Sequence, residues 1–215
     1  MLLLNEELLF PPIELADTDG LLAIGGDLST ERLLLAYRSG IFPWFNENDP
    51  ICWWSPNPRF VLFPAELKIS KSMLTILNKD IFRFTINQDF SGVIKNCRNI
   101  PRKGQEGTWI SPTMYKAYMQ LHRAGHAHSA EAWKGEELVG GLYGIRMGSV
   151  FFGESMFSLE KNASKFAFIN YVRQLQKEKV QLIDCQVHTR HLESLGARMI
   201  TRNAFATLLA SYTGG

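Results

Sequence analysis

Apolar residues fall at helical spacing after Ser29, where Leu33, Leu34, Ala36 and Tyr37 share a face that ends at Gly40. Ser29 suits the N-cap and Glu31 the first turn, so a helix is predicted between Ser29 and Gly40. Upstream, Pro11-Pro12 breaks the chain, and Gly20, Gly25 and Gly26 flank the apolar run Leu21-Leu22-Ala23-Ile24. Downstream, the aromatic stretches Ile41–Phe45 and Ile51–Trp54 are interleaved with Pro43, Pro50, Pro56 and Pro58, which places them on loops or short extended pieces. Residues 1–61 read as a small N-terminal domain.

The pattern changes in the second half. Ser111 caps and Pro112 opens a helix with Met114, Tyr118 and Leu121 on one face, closed by Gly125. Strands are predicted over His126–Trp133, Leu138–Met147 and Ser149–Phe157, with Lys134-Gly135 and Met147-Gly148 as turns. A helix from about Asn162 to Lys179, a strand Leu182–Val187, a short helix ending at Gly196, a strand Arg198–Thr201 and a final helix near Asn203 follow. Meander, helix, strand, helix, strand is an α+β order. The expected architecture is a larger domain, residues 62–215, with a mostly antiparallel, acyltransferase-like sheet flanked by helices.

Composition narrows the classes. At 46% apolar and 12% aromatic residues the chain has the material for a core, and no run approaches the roughly 20 apolar residues of a membrane span. Cys52, Cys97 and Cys185 are odd in number and far apart, and the start lacks the basic flank of a signal peptide. A cytoplasmic protein with free thiols is expected. The net charge of +2 conceals an asymmetry: residues 1–64 hold nine acidic and three basic side chains, residues 65–215 twelve acidic and twenty basic. Lys68, Lys71, Lys79 and Arg83 open the most basic stretch. It suits either a polyanionic partner or a solvated surface.

Candidate chemistry sits on two strands. In Leu182-Ile183-Asp184-Cys185-Gln186-Val187, alternation places Asp184 and Gln186 on one side, about 6.5–7 Å apart. They read as a buried hydrogen-bond network or as a carboxylate and amide that deprotonate and orient an amine. Glu154, among the aromatics of Phe151–Phe157, is either paired structurally or aimed into a pocket. Gly153-Glu154-Ser155 begins like a nucleophile elbow, but Phe157 replaces the required glycine. His126 and His128 lack further ligands at zinc spacing, so no metal is expected. Gly140, Gly141 and Gly144 lie inside a strand pattern, which points to close backbone approach or a bulge. Trp44, Phe45, Trp53, Trp54 and Trp109 are core aromatics or stacking platforms for an RNA base.

Nine blocks in order make the chain similar to the leucyl/phenylalanyl-tRNA–protein transferases. They include Leu21–Ser29, Gly40–Phe45, Trp53–Pro56, Gly107–Ile110, Gly125–Ser129, Leu138–Gly144, Gly153–Ser158, Asn162–Lys165 and Asp184–Gln186, with Ser194–Ala197 beyond them. The resemblance implies an acyl-CoA N-acyltransferase-like catalytic domain. It also implies transfer of leucine, phenylalanine or methionine from aminoacyl-tRNA to proteins beginning with Arg or Lys, which marks them for N-end rule degradation. It implies no cofactor, and a monomer is expected. Carried over, Asp184 and Gln186 serve peptide-bond formation and Glu154 holds an amino group. Trp44 and Trp109 contact the terminal adenosine, while Leu142, Phe151, Met156, Phe168 and Tyr171 line the aminoacyl pocket. Lys68, Lys71, Lys79 and Arg83 meet the tRNA backbone. Asp184 is either a proton acceptor or a grip for the acceptor's basic side chain. A CoA-dependent N-acyltransferase is the rival, but the turn Glu160–Lys165 has no glycine to cradle a pyrophosphate. A non-catalytic RNA-binding protein leaves Asp184, Gln186 and Glu154 without a task.

Overall fold

The computed structural model describes residues 2–100 and 110–214. The N-terminal part contains β1 (Leu2–Leu4), β2 (Leu21–Gly25), α1 (Thr30–Arg38), β3 (Phe42–Pro43) and β4 (Cys52–Trp54). Its strands form a small sheet in the order β1-β2-β4-β3. Ser29 caps α1 as expected, its side chain accepting the Arg32 N–H. The aromatic runs thus form short paired strands, with Phe42 opposite Trp54 and Pro43 opposite Trp53.

The larger part begins with β5 (Arg59–Leu62), α2 (Lys71–Leu77), β6 (Arg83–Ile86), α3 (Phe90–Asn99) and α4 (Pro112–Arg123). It continues through β7 (Ala127–Lys134), β8 (Glu137–Met147), β9 (Val150–Ser158), α5 (Ala163–Lys177), β10 (Leu182–Gln186), α6 (Arg190–Glu193), β11 (Arg198–Ile200) and α7 (Arg202–Thr213). Seven strands form one sheet in the order β11-β5-β10-β9-β8-β7-β6. The pairings within it are antiparallel except for β9 with β10. This is the mostly antiparallel, helix-flanked α+β domain expected. The boundary expected after residue 61 falls inside β5, which lies between β11 and β10. All four β5 residues are buried, so the strand carries no polar alternation by which to recognise it. No described helix is long and apolar enough to cross a membrane.

Two apolar layers cover the sheet. On one face α5 buries Phe166, Ala167, Ile169 and Val172 against Val139, Leu142, Phe151 and Ile183. On the other, Leu33, Tyr37 and Trp53 of the N-terminal part join Phe90, Tyr118, Phe152 and Phe205 in one cluster. Each fully buried large side chain contributes about 1.5–3 kcal/mol, so the two parts are welded by a shared core. Gly140 allows the start of α5 to lie on β8: a Cβ there would come within 2.6 Å of the Ala163 Cβ. At Gly144 the β8/β9 register shifts, and a Cβ would lie 2.1 Å from the Phe152 carbonyl oxygen. Both glycines therefore serve the close approach and bulge read from the strand pattern.

The parallel pairing of β9 and β10 ends at Phe152 opposite Asp184. Beyond it β9 runs on to Ser158, while β10 bulges at Cys185 and stops at Gln186. A wedge opens between the strands.

Candidate active site

A cavity of about 530 Å³ fills that wedge, a size suited to a small-molecule group. Residues 153–158 of β9 form one wall, and Cys185, Gln186 and Val187 another. Phe42, Pro43 and Trp44 close it from the N-terminal part, and Thr189, His191 and Leu192 from the α6 region.

The residues singled out from sequence separate into groups. Glu154, Gln186, Trp44, Leu142, Met156 and Phe168 all line the cavity. Phe151 and Tyr171 are buried and meet edge-on, ring centroids 5.0 Å apart, without forming its wall. Asp184 is also outside the lining. Trp109 lies outside the described residues. Lys68, Lys71, Lys79 and Arg83 are exposed and do not line the cavity. Arg83 lies on the edge strand β6, 5.3 Å over the Trp133 ring, and donates to Gln88 at 2.9 Å.

Asp184 is fully buried and gripped by a residue that sequence reasoning missed. Arg59 Nε donates to Asp184 Oδ1 at 2.9 Å and Nη2 to Oδ2 at 2.6 Å. The guanidinium is sandwiched between the Phe42 and Phe205 rings, 4.7 and 4.6 Å away, and Nη1 donates to the Gly40 carbonyl at 3.1 Å. A buried fork of this kind satisfies both charges, where either alone is costly. The signal for Arg59 was a cation heading the apolar run Phe60-Val61-Leu62, which needs a partner once buried.

Asp184 Oδ1 also accepts the Gln186 backbone N–H at 2.9 Å. Gln186 has φ 61, a left-handed conformation uncommon outside glycine. The regular alternation expected for this strand therefore ends at Asp184, since Val61 and Phe60 pair with Asp184 and Gln186 and skip Cys185. Strain held in place by surrounding bonds is a feature of functional sites. The bulge turns the Gln186 side chain to Glu154, Nε2 donating to Oε1 at 3.0 Å.

Glu154 is half-buried and surrounded by hydroxyl groups. Tyr37 Oη bonds Oε1 at 2.7 Å and Tyr118 Oη bonds Oε2 at 2.8 Å. The two tyrosine oxygens are themselves 2.5 Å apart. Burial pushes the Glu154 carboxyl up to about 7; tyrosine hydroxyls that donate to the carboxylate form oppose that rise, and the nearby Asp184 charge adds to it. Burial and the Glu154 charge drive both tyrosine hydroxyls well above their usual range. Tyr37 and Tyr118 read from sequence only as apolar helix positions, and only the need of a buried hydroxyl for a partner hinted at more. Burial, then Asp184, also pushes the Cys185 thiol well up, which disfavours its reactive thiolate form. His191, which lines the cavity and went unnoticed in the sequence, is held below its usual value by burial and Lys165.

The arrangement offers a carboxyl group that titrates near neutrality, an amide, an aromatic wall and an apolar recess. Comparison with known proteins gives it a context. The leucyl/phenylalanyl-tRNA protein transferase family profile matches residues 61–210, and the profile of that family's N-terminal domain matches 26–57. The leucyl/phenylalanyl-tRNA–protein transferase of Flavobacterium johnsoniae is 59% identical over 211 residues, 98% of this chain and 100% of that protein. Its counterpart from Syntrophobacter fumaroxidans is 58% identical over 207 residues, 96% of this chain and 88% of that one. Among solved structures, L-PGS from Bacillus licheniformis aligns with a TM-score of 0.47 at 11% identity, over 90% of this chain and 72% of that one. A likeness that loose informs nothing about the site. The profiles and the full-length relatives suffice: this chain belongs to the leucyl/phenylalanyl-tRNA–protein transferase family.

Proposed function

We propose that this protein transfers leucine, phenylalanine or methionine from aminoacyl-tRNA to the N-terminal Arg or Lys of acceptor proteins, in the cytoplasm and as a monomer. The products enter N-end rule degradation. The observation that carries the site assignment is the bonded pair of Glu154 and Gln186 on the wall of an otherwise apolar cavity. Trp44 supplies a stacking face for the terminal adenosine, with Trp109 as its expected companion. Leu142, Met156 and Phe168 receive the aminoacyl side chain, backed by Phe151 and Tyr171.

The acceptor's α-amine attacks the ester carbonyl carbon. A carbon–nitrogen bond forms, the bond to the ribose oxygen breaks, and one proton passes from nitrogen to that oxygen. The ester is already activated, so holding the amine against it supplies much of the acceleration. Glu154 and Gln186 are the groups in reach of it. Asp184 has its carboxylate occupied by Arg59, so it is neither an open base nor a grip for a basic side chain. It acts as a positioning residue through the Gln186 backbone. Lys68, Lys71, Lys79 and Arg83 are assigned to tRNA phosphates outside the cavity.

Incubating the protein with labelled Leu-tRNA and a peptide beginning with Arg tests the reading. Label should move to that peptide and not to one beginning with Ala; equal transfer to both, or none, sinks it.

A further inference from the structure

We propose that Tyr37, Tyr118 and Glu154 form a closed ring of hydrogen bonds that keeps one proton in the active site for the transfer reaction. The inference rests on the aminoacyl transfer proposed above and adds two residues from different parts of the molecule, Tyr37 on α1 and Tyr118 on α4.

Proton counting carries the argument. Three oxygen–oxygen contacts close the ring: Tyr37 to Glu154 at 2.7 Å, Tyr118 to Glu154 at 2.8 Å, and Tyr37 to Tyr118 at 2.5 Å. Each contact needs a hydrogen, and each tyrosine owns one. A carboxylate would leave two hydrogens for three contacts and press two bare hydroxyl oxygens together. A carboxylic acid supplies the third. The direction follows from Gln186, whose amide donates to Oε1. Oε1 is therefore the carbonyl oxygen and also accepts from Tyr37. Tyr37 accepts from Tyr118, and Tyr118 accepts the acid hydrogen on Oε2. The surroundings favour the neutral acid, since burial raises the Glu154 carboxyl to about 7.

The other groups that face the ring do not disturb this order. Among the described residues, Tyr143 of β8 packs edge-on to Tyr118 at 5.5 Å, and Asp184 of β10 has its charge matched by Arg59 of β5. In the transfer, the ring passes its proton to the departing ribose oxygen and regains one from the attacking nitrogen as the amide forms. Nothing is consumed, and the ring ends as it began.

The test is the protonation of Glu154 in full-length protein, followed by isotope-edited infrared spectroscopy of its carboxyl group alongside the pH profile of transfer. Tyr37→Phe and Tyr118→Phe each open the ring while preserving the aromatic volume. Each should move the loss of the neutral-acid band, and the matching limb of the kcat profile, to lower pH by roughly one unit. The double variant should add little, because one gap already opens the ring. A shift to higher pH would mean that the tyrosines only donate to a standing carboxylate, and it would overturn the ring. So would shifts that simply add, or no shift. Either single variant suffices if the other does not fold. A wild-type protein inactive with Leu-tRNA and the Arg peptide defeats the transferase reading instead, and leaves the infrared result to be judged by itself.

Discussion

The two faces of the seven-stranded sheet are built from different materials. Under α5, Phe166, Ala167, Ile169 and Val172 meet Val139, Leu142, Phe151 and Ile183, and the layer is apolar throughout. Under the N-terminal part, the apolar cluster also encloses Arg59 with Asp184, and Tyr37 and Tyr118 with Glu154. Burying polar groups adds nothing to stability that well-packed carbon would not supply. The first face holds the sheet and lends Leu142 and Phe168 to the cavity wall, and the second holds the polar groups of the site. That division predicts that stability and activity separate by face.

The largest effect should come from Arg59→Met. It strands Asp184, 0% exposed, without its counter-charge, and about 3–5 kcal/mol of stability should be lost together with transfer activity. Replacing both partners, Arg59→Met with Asp184→Leu, should restore most of the stability in urea unfolding but none of the activity, because the Gln186 N–H has lost its acceptor. A single variant that unfolds at the wild-type urea concentration breaks the comparison. On the opposite face, Ile169→Ala removes a fully buried side chain. It should cost about 2–4 kcal/mol and leave the turnover of the folded fraction intact. Altered turnover would show that α5 governs the chemistry beyond lending Phe168 to the cavity wall.

Legibility in the sequence follows the same divide. The meander β7–β9 and α5 were visible because local patterns produce them: glycine turns, alternation and a helical apolar stripe. The elements α2, β6 and α3 were hidden behind the charges of their segment. The site was half visible. Glu154, Asp184 and Gln186 stand out as polar residues in apolar strands, and the resemblance lent them roles. Their partners are set by contacts across the chain, Arg59 lying 125 residues from Asp184 and Tyr37 81 residues from Tyr118. No periodicity encodes such a meeting. The bulge at Gln186 was also invisible, because a strand read by alternation assumes regular pairing.

Glu154 gives a smaller, pH-dependent effect. Its carboxyl stands at about 7 in the fold against 4.5 ordinarily. The folded protein therefore holds the proton that the unfolded chain releases, and stability falls as pH rises from about 4.5 to 7 and stays reduced above. Glu154→Gln stops this titration while keeping an acceptor for Tyr37 and a donor for Tyr118. It should match wild type at pH 5 and exceed it by about 2 kcal/mol at pH 8, with transfer lost at both. A constant stability gap across that range would falsify the assignment of a half-buried, neutral-leaning acid.

The smallest effect belongs to the exposed edge, where neither face is involved. Lys79 and Arg83 stand on the segment leading into and through β6, but they are not equivalent. Arg83 lies over Trp133 and bonds Gln88, so its removal also disturbs packing. Lys79 is exposed, which makes Lys79→Ala the cleaner probe. If its ammonium meets a tRNA phosphate, affinity at low salt should fall a few-fold. The slope of log affinity against log salt should also become shallower by roughly 0.7–0.9, the contribution of one released counterion. Urea unfolding and kcat at saturating tRNA should not move. An unchanged slope would return this edge to solvent and leave the cavity mouth, with Trp44, as the place to look for the contacts that seat the tRNA.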